Sequence, residues 1–443
     1  MYSKRMGRLQ RKQSPRVMLL WLLVLLSAGG ALGGCVSHAK TDGEEKVTYT
    51  LTKKAFMHLQ RVQEHASKKE WKEALEELDS MAERKFLNPY ERAMMWNARA
   101  GIYAATNKFD MAMKSLEEAL KLESMPDEQQ LDTQYNLAQL YLVNERFEDS
   151  GNLFAKWLEK AKNPDPSTYF LTASAYSQAK KFDKALPYAK KAVEQMKKPE
   201  ESWMGLLLSI HYELKDNESV AAMLKKLLKL FPKKEYWLQL SATYSAMDDT
   251  AKALAVLEVA LAKDLLTEEK EFVVLAQLYN QEGVPLKAAS LMEAKRADGT
   301  VTDSPENLEL LATSWLMAND REKAEATLKE AAGAASSSAL YLRLAQFHIE
   351  RHKWSKALEA ITEAQQLGDL EDPGEALVLT GIVHYNMKHY DAALRSLEKA
   401  KEHEKSKADA QQWIDVIRSE RGAPSSGDSQ EAADGEVAAG GEK

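Results

Sequence analysis

Cysteine is almost missing from these 443 residues: Cys35 is the only one, which excludes an intrachain disulfide and a cysteine-based metal cage. Glycines cluster at the two ends, and no glycine-rich loop is in place to cradle a phosphate. No G-x-S-x-G stretch frames a nucleophilic serine. Carboxylate pairs such as Glu76 and Glu77 fall on alternate exposed helix faces, where nothing desolvates them to tune a pKa. Positive charge is in deficit too. The formal net charge is -7, and the first 34 residues hold six basic side chains and no acid, so without them 54 basic residues face 67 acidic ones. That balance argues against nucleic acid or an anionic bilayer face as a partner. The expectation is a chain with no enzymatic activity, no cofactor, no metal and no small-molecule substrate.

What the chain has in abundance is one pattern, clearest in Trp237–Ala260 (WLQLSATYSAMDDTAKALAVLEVA). Trp237, Leu240, Ser241 and Tyr244 share one face of a first helix, and the small Ser241 lets a neighbouring backbone come close. Ala253, Leu257 and Ala260 share a face of a second helix, and the aspartates and threonine of 247–250 interrupt one helix and cap the next. Such a hairpin buries its apolar side only by stacking on copies of itself. The small residue opening the second helix recurs as Ala74, Ala112, Ser150, Ala185, Val220, Ala253, Ala288, Ala324, Ala357 and Ala393, at spacings between 33 and 38.

These spacings bracket the roughly 34-residue period of the tetratricopeptide repeat. Trp96, Ala100, Tyr103, Ala112, Leu116, Ala119 and Pro126 match that family's order in one copy, Phe272, Leu275, Ala276, Tyr279, Ala288 and Met292 in a second, and Gly381, Tyr390, Ala393, Leu397 and Ala400 in a third. The sequence strongly resembles a tetratricopeptide array, which implies an all-α superhelical solenoid of about ten helical hairpins. Ser406–Arg418, with Trp413, Ile414 and Ile417 on one face, adds a capping helix. His58, Arg61 and His65 replace apolar residues in the first hairpin, as suits a terminal repeat facing water. Pro187 falls inside a second helix, where a kink near the helix start is expected to be tolerated.

Cys35 gains meaning from its position. It follows a basic segment (Met1–Arg16), an apolar core (Val17–Leu26) and a run of small residues, the layout of a secretory signal peptide. Leu32-Gly33-Gly34-Cys35 resembles a bacterial lipobox, which makes Cys35 the lipid-bearing first residue of the mature chain. The alternative is an uncleaved anchor over Val17–Val36, twenty residues that can just span a bilayer, though four glycines weaken it as a helix. Val36 in place of an aspartate favours the outer membrane by the lipoprotein sorting rule. The expected layout is therefore a signal peptide (1–34), a lipidated cysteine and tether (35–51), a repeat solenoid (52–403), a capping helix (404–421) and an acidic, disordered tail (422–443).

From Trp203 to Ile417 runs such as PKKEYWLQLSATY, VVLAQLYNQEGVPLKAASLMEA and DPGEALVLTGIVHYNMKHYDAAL resemble tetratricopeptide lipoproteins encoded beside TonB, ExbB and ExbD in Gram-negative bacteria. That resemblance implies a periplasmic accessory to TonB-dependent energy transduction and to uptake of nutrients such as iron bound to siderophores. A generic outer-membrane assembly lipoprotein, of the pilotin type that serves pili or secretins, uses the same anchor and the same repeats.

His348-Ile-Glu-Arg-His352 places two histidines one turn apart, but a zinc-protease helix needs its glutamate where Ile349 stands. They read as a packing residue and a turn residue, as do His384 and His389. What is left is the groove. In this family the concave wall is lined by places two, five, nine and twelve of each first helix. The wall residues expected to meet a protein partner are Tyr135, Gln139, Phe170, Ser174, Tyr212, Gln277, Asn280 and Gln346. The lysine and asparagine that clamp a terminal carboxylate in chaperone-binding relatives are replaced by Leu59 and Gln63.

Overall fold

A computed structural model describes residues 49–84 and 87–422; the expected signal peptide (1–34), Cys35, most of the expected tether and the tail beyond Gly422 lie outside the described residues. All regular structure there is helical, in 21 helices that form ten hairpins and one terminal helix. They fall into two units divided between Pro232 and Lys233. The first unit pairs α1 (Lys53–Ser67) with α2 (Trp71–Ala82), α3 (Pro89–Ala105) with α4 (Phe109–Lys121) and α5 (Asp127–Val143) with α6 (Phe147–Lys160). It continues with α7 (Pro166–Gln178) on α8 (Phe182–Gln195) and α9 (Glu201–Glu213) on α10 (Asn217–Leu230). In the second, α11 (Lys234–Ser245) pairs with α12 (Thr250–Ala262), α13 (Glu269–Gln281) with α14 (Pro285–Ala297) and α15 (Pro305–Met317) with α16 (Arg321–Ala335). There α17 (Ser338–Glu350) then packs on α18 (Trp354–Leu367), α19 (Pro373–Asn386) on α20 (Tyr390–Ala400), and α21 (Lys407–Gly422) follows.

One register governs every hairpin. All ten marker residues, from Ala74 to Ala393, are at 0% exposure. Five residues before each marker the chain turns through a left-handed residue, with φ between 56° and 70° from Lys69 to Lys388, and only Gly283 among the ten is a glycine. The following amide donates to the carbonyl five residues back, as in Lys181 to Tyr176 at 2.8 Å and Asp249 to Tyr244 at 3.0 Å, which satisfies an orphan carbonyl at the end of the first helix. Twelve residues before the marker a second small residue meets it. Ser241 donates its hydroxyl to the Ala253 carbonyl at 2.9 Å, and Ser150, itself a marker, donates to the Ala138 carbonyl at 2.7 Å. The hydroxyl sits on opposite helices in the two hairpins and closes the same gap.

Gly381 holds that place in the last hairpin. A Cβ there would lie 2.5 Å from Leu397 Cγ, whereas at Gly101 and Gly205, also inside first helices, a Cβ meets nothing within 4 Å. One substitution should therefore have two signs. Gly381→Ala is expected to lower stability by about 1 to 3 kcal/mol through overpacking, while Gly101→Ala and Gly205→Ala should each raise it by about 0.5 to 1 kcal/mol through helix propensity. Urea denaturation of the three variants checks this, and equal signs would refute the packing account.

The first hairpin departs from expectation. His58 is buried, not turned to water, because its Nδ1 pairs with Glu77 of α2, which Arg61 also approaches at 3.3 Å. A buried carboxylate, Glu91, caps this end: it accepts the amides of Thr52 at 2.7 Å and Asn88 at 3.0 Å, joining the starts of α1 and α3. Helix α8 runs through Pro187 to Gln195. At the other end Ala410, Ile414 and Ile417 of α21 are fully buried in a cluster with Leu397 and Ala400 of α20, so this helix covers the last apolar face as a cap should.

Candidate functional site

The inner-wall positions differ between the units. In the first, Phe170 of α7 stacks on Trp203 of α9 with ring centroids 5.2 Å apart and planes 12° from parallel. Both rings are half-buried, and they form a flat platform bridging two consecutive first helices. Gly205 leaves bare helix backbone on α9, and Gly101 does so three hairpins earlier. Tyr212 is 39% exposed near the end of α9, and Gln139 of α5 is half-buried. Two expected wall residues contribute less. Tyr135 packs edge-on against Phe154 and tilts onto Trp157, both in α6, so much of its ring serves its own hairpin. Ser174 is buried, since so short a side chain does not project past its neighbours. Trp203 was the residue that place-counting missed, because it sits one step past the wall position Ser202.

In the second unit the wall amides are largely engaged in ties between successive first helices. Asn280 Nδ2 donates to Ser314 Oγ at 2.9 Å, and Gln346 Nε2 donates to Glu375 at 3.3 Å. Arg343 pairs with Glu309 and donates to Thr313 at 3.0 Å. Gln277 is exposed. These bonds join α13 to α15, α15 to α17 and α17 to α19, so this wall is a polar seam more than an open surface. The more open seat for a ligand is the wall of the first unit.

The histidines belong to a ring column. Nine residues before the marker stands an aromatic ring in six hairpins (Tyr103, Tyr141, Tyr176, Tyr244, Tyr279, Trp315) and a histidine in four (His65, His211, His348, His384). His65 and His211 have a carboxylate five residues on, Glu70 at 2.7 Å and Asp216 at 3.0 Å. His348 and His384 have Lys353 and His389 there instead, and each leaves a buried Nδ1 without a partner among the described residues. His352 sits in the left-handed turn. Among the described residues no group of three or more histidines and carboxylates could hold a metal.

Burial pushes His348 below the ordinary imidazole range; Glu325 opposes this, and Lys356, Lys353 and Arg351 add to it. Burial does the same to His384, helped by His389 and Arg395. Burial also opposes ionisation of Glu325, but Lys353 and Lys356 hold it down at about 2, so it stays charged across the range in which histidines titrate. A histidine depressed in the folded state is protonated first in the unfolded chain, so stability is present above the unfolded pKa and drains away as pH falls through it. The melting temperature should drop between about pH 7 and about pH 5. His348→Tyr with His384→Tyr, which installs the column's commoner residue, should reduce that slope, His211, which burial also depresses against the pull of Asp216, keeping the remainder; an unchanged slope would show that these two imidazoles are not titrating groups.

These walls define a class: a helical-repeat protein whose first helices present a ring stack in one unit and a polar seam in the other. The sequence profile of the tetratricopeptide repeat matches residues 93–124 and 166–195, which are the hairpins α3–α4 and α7–α8. Such repeats generally mediate contact between proteins and are typically not enzymes. A search of curated proteins finds no match to the chain. Among solved structures, the MamA protein is 19% identical over 40% of this chain and 94% of its own, with a TM-score of 0.35. A tetratricopeptide repeat protein from Parabacteroides merdae is 14% identical over 57% of this chain and 98% of its own (TM-score 0.34). The C-terminal part of a repeat protein from Cytophaga hutchinsonii is 16% identical over 62% and 94% (TM-score 0.33).

Proposed function

We propose that this chain is a protein-binding scaffold, held by lipid on Cys35 at the periplasmic side of a bacterial outer membrane, and that it serves TonB-dependent energy transduction and nutrient uptake. The observation that carries the binding role lies in the first unit, where the half-buried Phe170–Trp203 stack bridges two consecutive first helices, while α9 also carries the bare backbone of Gly205 and, near its end, the exposed Tyr212. Rings offer apolar contact and helix backbone without a Cβ allows close approach, the pairing an extended protein segment needs. The anchor rests on the basic, apolar and small-residue order that ends in Leu32-Gly33-Gly34-Cys35, and the TonB assignment on the resemblance across Trp203–Ile417.

The test is crosslinking in cells from photoreactive residues at positions 212 and 280, with growth of a deletion strain on a siderophore as sole iron source. Crosslinks to TonB, ExbB or ExbD and impaired growth are expected. Crosslinks confined to pilus, secretin or assembly-machine proteins, with normal growth, would replace the TonB reading by that of a generic assembly lipoprotein. The anchor is tested separately: Cys35→Ser should leave precursor uncleaved and abolish palmitate incorporation.

A further inference from the structure

Charge is not spread evenly over this chain. Residues 233–422 carry 23 basic and 32 acidic side chains, whereas 49–232 carry 28 and 27. The unevenness has a definite address on the second helices, whose inner faces are set by the marker and by the residues four and seven beyond it. In α8 those are Ala185, Ala189 and Ala192, and in α10 Val220, Leu224 and Leu227, all buried. The places five and six beyond the marker therefore point away from the hairpin.

Over most of the chain these outward places hold a carboxylate that a neighbouring helix answers with a cation. Asp79 pairs with Arg99, Glu117 lies 3.3 Å from Arg146, Glu258 2.9 Å from Lys287, Glu293 3.0 Å from Lys323, and Glu398 3.0 Å from Arg418. Glu330 pairs with Arg296. In the third to fifth hairpins the pattern inverts. Lys156 on α6, Lys190 and Lys191 on α8 and Lys226 on α10 take these places, extended by Lys160 and Lys229, and all six are exposed. Lys191 lies over the Tyr169 ring at 5.5 Å; Lys181 and Lys184, nearer the turn, take up Glu148 at 3.6 Å. Three consecutive hairpins thus replace the outward carboxylates with a lysine-rich stripe, in which Glu159 and Glu194 are the acidic neighbours.

We infer that this lysine stripe on the outer face of α6, α8 and α10 docks on an anionic lipid surface. The chemistry favours lipid over nucleic acid. Every member is a lysine, a compact hydrated charge suited to a diffuse layer of headgroups, and none is an arginine with the planar fork that grips phosphates or base edges. None of the three helices carries an exposed aromatic ring on which bases could stack, but α10 ends in Leu230, 39% exposed next to Lys229, an apolar side chain able to enter the headgroup layer. The stripe also lies on the unit that follows the tether: Thr52 is 17 residues from Cys35, a reach of at most about 60 Å. The choice of a membrane as partner rests on the proposed lipid anchor. The balance of the whole chain, which argued against an anionic bilayer, fails here because an average over two units conceals a local excess.

The test uses the chain from Val36 onward, which keeps every described residue and lacks the leader and the acylated cysteine, so it does not depend on whether lipidation occurs. It is sedimented with phosphatidylcholine vesicles with and without phosphatidylglycerol, at low and high salt. Binding that requires phosphatidylglycerol and weakens with salt is expected. Replacing Lys190, Lys191, Lys226 and Lys229 with glutamine should weaken it about fivefold per lysine, several hundredfold in all. Replacing Lys388, Lys399, Lys405 and Lys407, an equal loss of charge from the second unit, should change it by no more than about twofold. Equal effects of the two quadruple variants, or no binding to phosphatidylglycerol vesicles, would overturn the inference, as would tighter binding to a polynucleotide than to the vesicles.

Discussion

Replacing Ala253 with tryptophan is expected to unfold the second unit under conditions in which the parent is folded. Ala253 is fully buried where α12 crosses α11, and its carbonyl accepts the Ser241 hydroxyl at 2.9 Å, so the two backbones are in near contact. An indole has no place to go: it must push α11 away, break that hydrogen bond and open the face that Leu240 and Leu257 bury. Overpacking of a tight core ordinarily costs about 1 to 3 kcal/mol, and separating two helices should put this case above about 3 kcal/mol. Ala255→Trp, on the exposed side of the same helix, is the control and should move stability by less than about 1 kcal/mol. Thermal and urea melts followed by circular dichroism decide it; an Ala253→Trp midpoint equal to that of Ala255→Trp would show that the contact is not tight.

The second large effect is expected on binding, with the periplasmic part of TonB as the probe. Tyr212→Ala removes an exposed ring near the end of α9 and should weaken capture by about 2 kcal/mol, roughly thirtyfold, with the melting temperature little changed. Phe170→Ala should weaken capture comparably and also lower stability by about 1 kcal/mol or more, because it strips the stacked partner from Trp203. The split between the two variants is the point of the experiment. If both bind TonB as well as the parent, the first unit's wall is not its seat. If Phe170→Ala leaves the melting temperature unchanged, the stack contributes no stability.

The repeat was legible because it is local and recurs. Ala74 through Ala393 mark places where only a small side chain lets two backbones meet, and each hairpin repeats the same demand, so errors in one copy are corrected by nine others. The turns were less legible. Gly283, Asn107, Asn319 and Asp248 are residue types that accept a left-handed turn readily, but Lys69, Lys180, Lys215, Lys388, Glu145 and His352 take the same φ because the helices on either side impose it.

The sequence by itself determined the helices, their pairing into hairpins, the buried face of each and the terminal helix that closes the array. Only the tertiary structure decided which side chains meet: the stack of Phe170 on Trp203 and the bond from Asn280 to Ser314 between successive hairpins, the pairing of His58 with Glu77 inside the first, the burial of Ser174, and the exposure of the lysines along α6, α8 and α10. Period and propensity act within about one turn of helix, so residues up to about 35 positions apart are brought together only by the rotation and spacing of neighbouring helices. Those are set by all the side chains of the interface at once and are written in no single stretch of the chain.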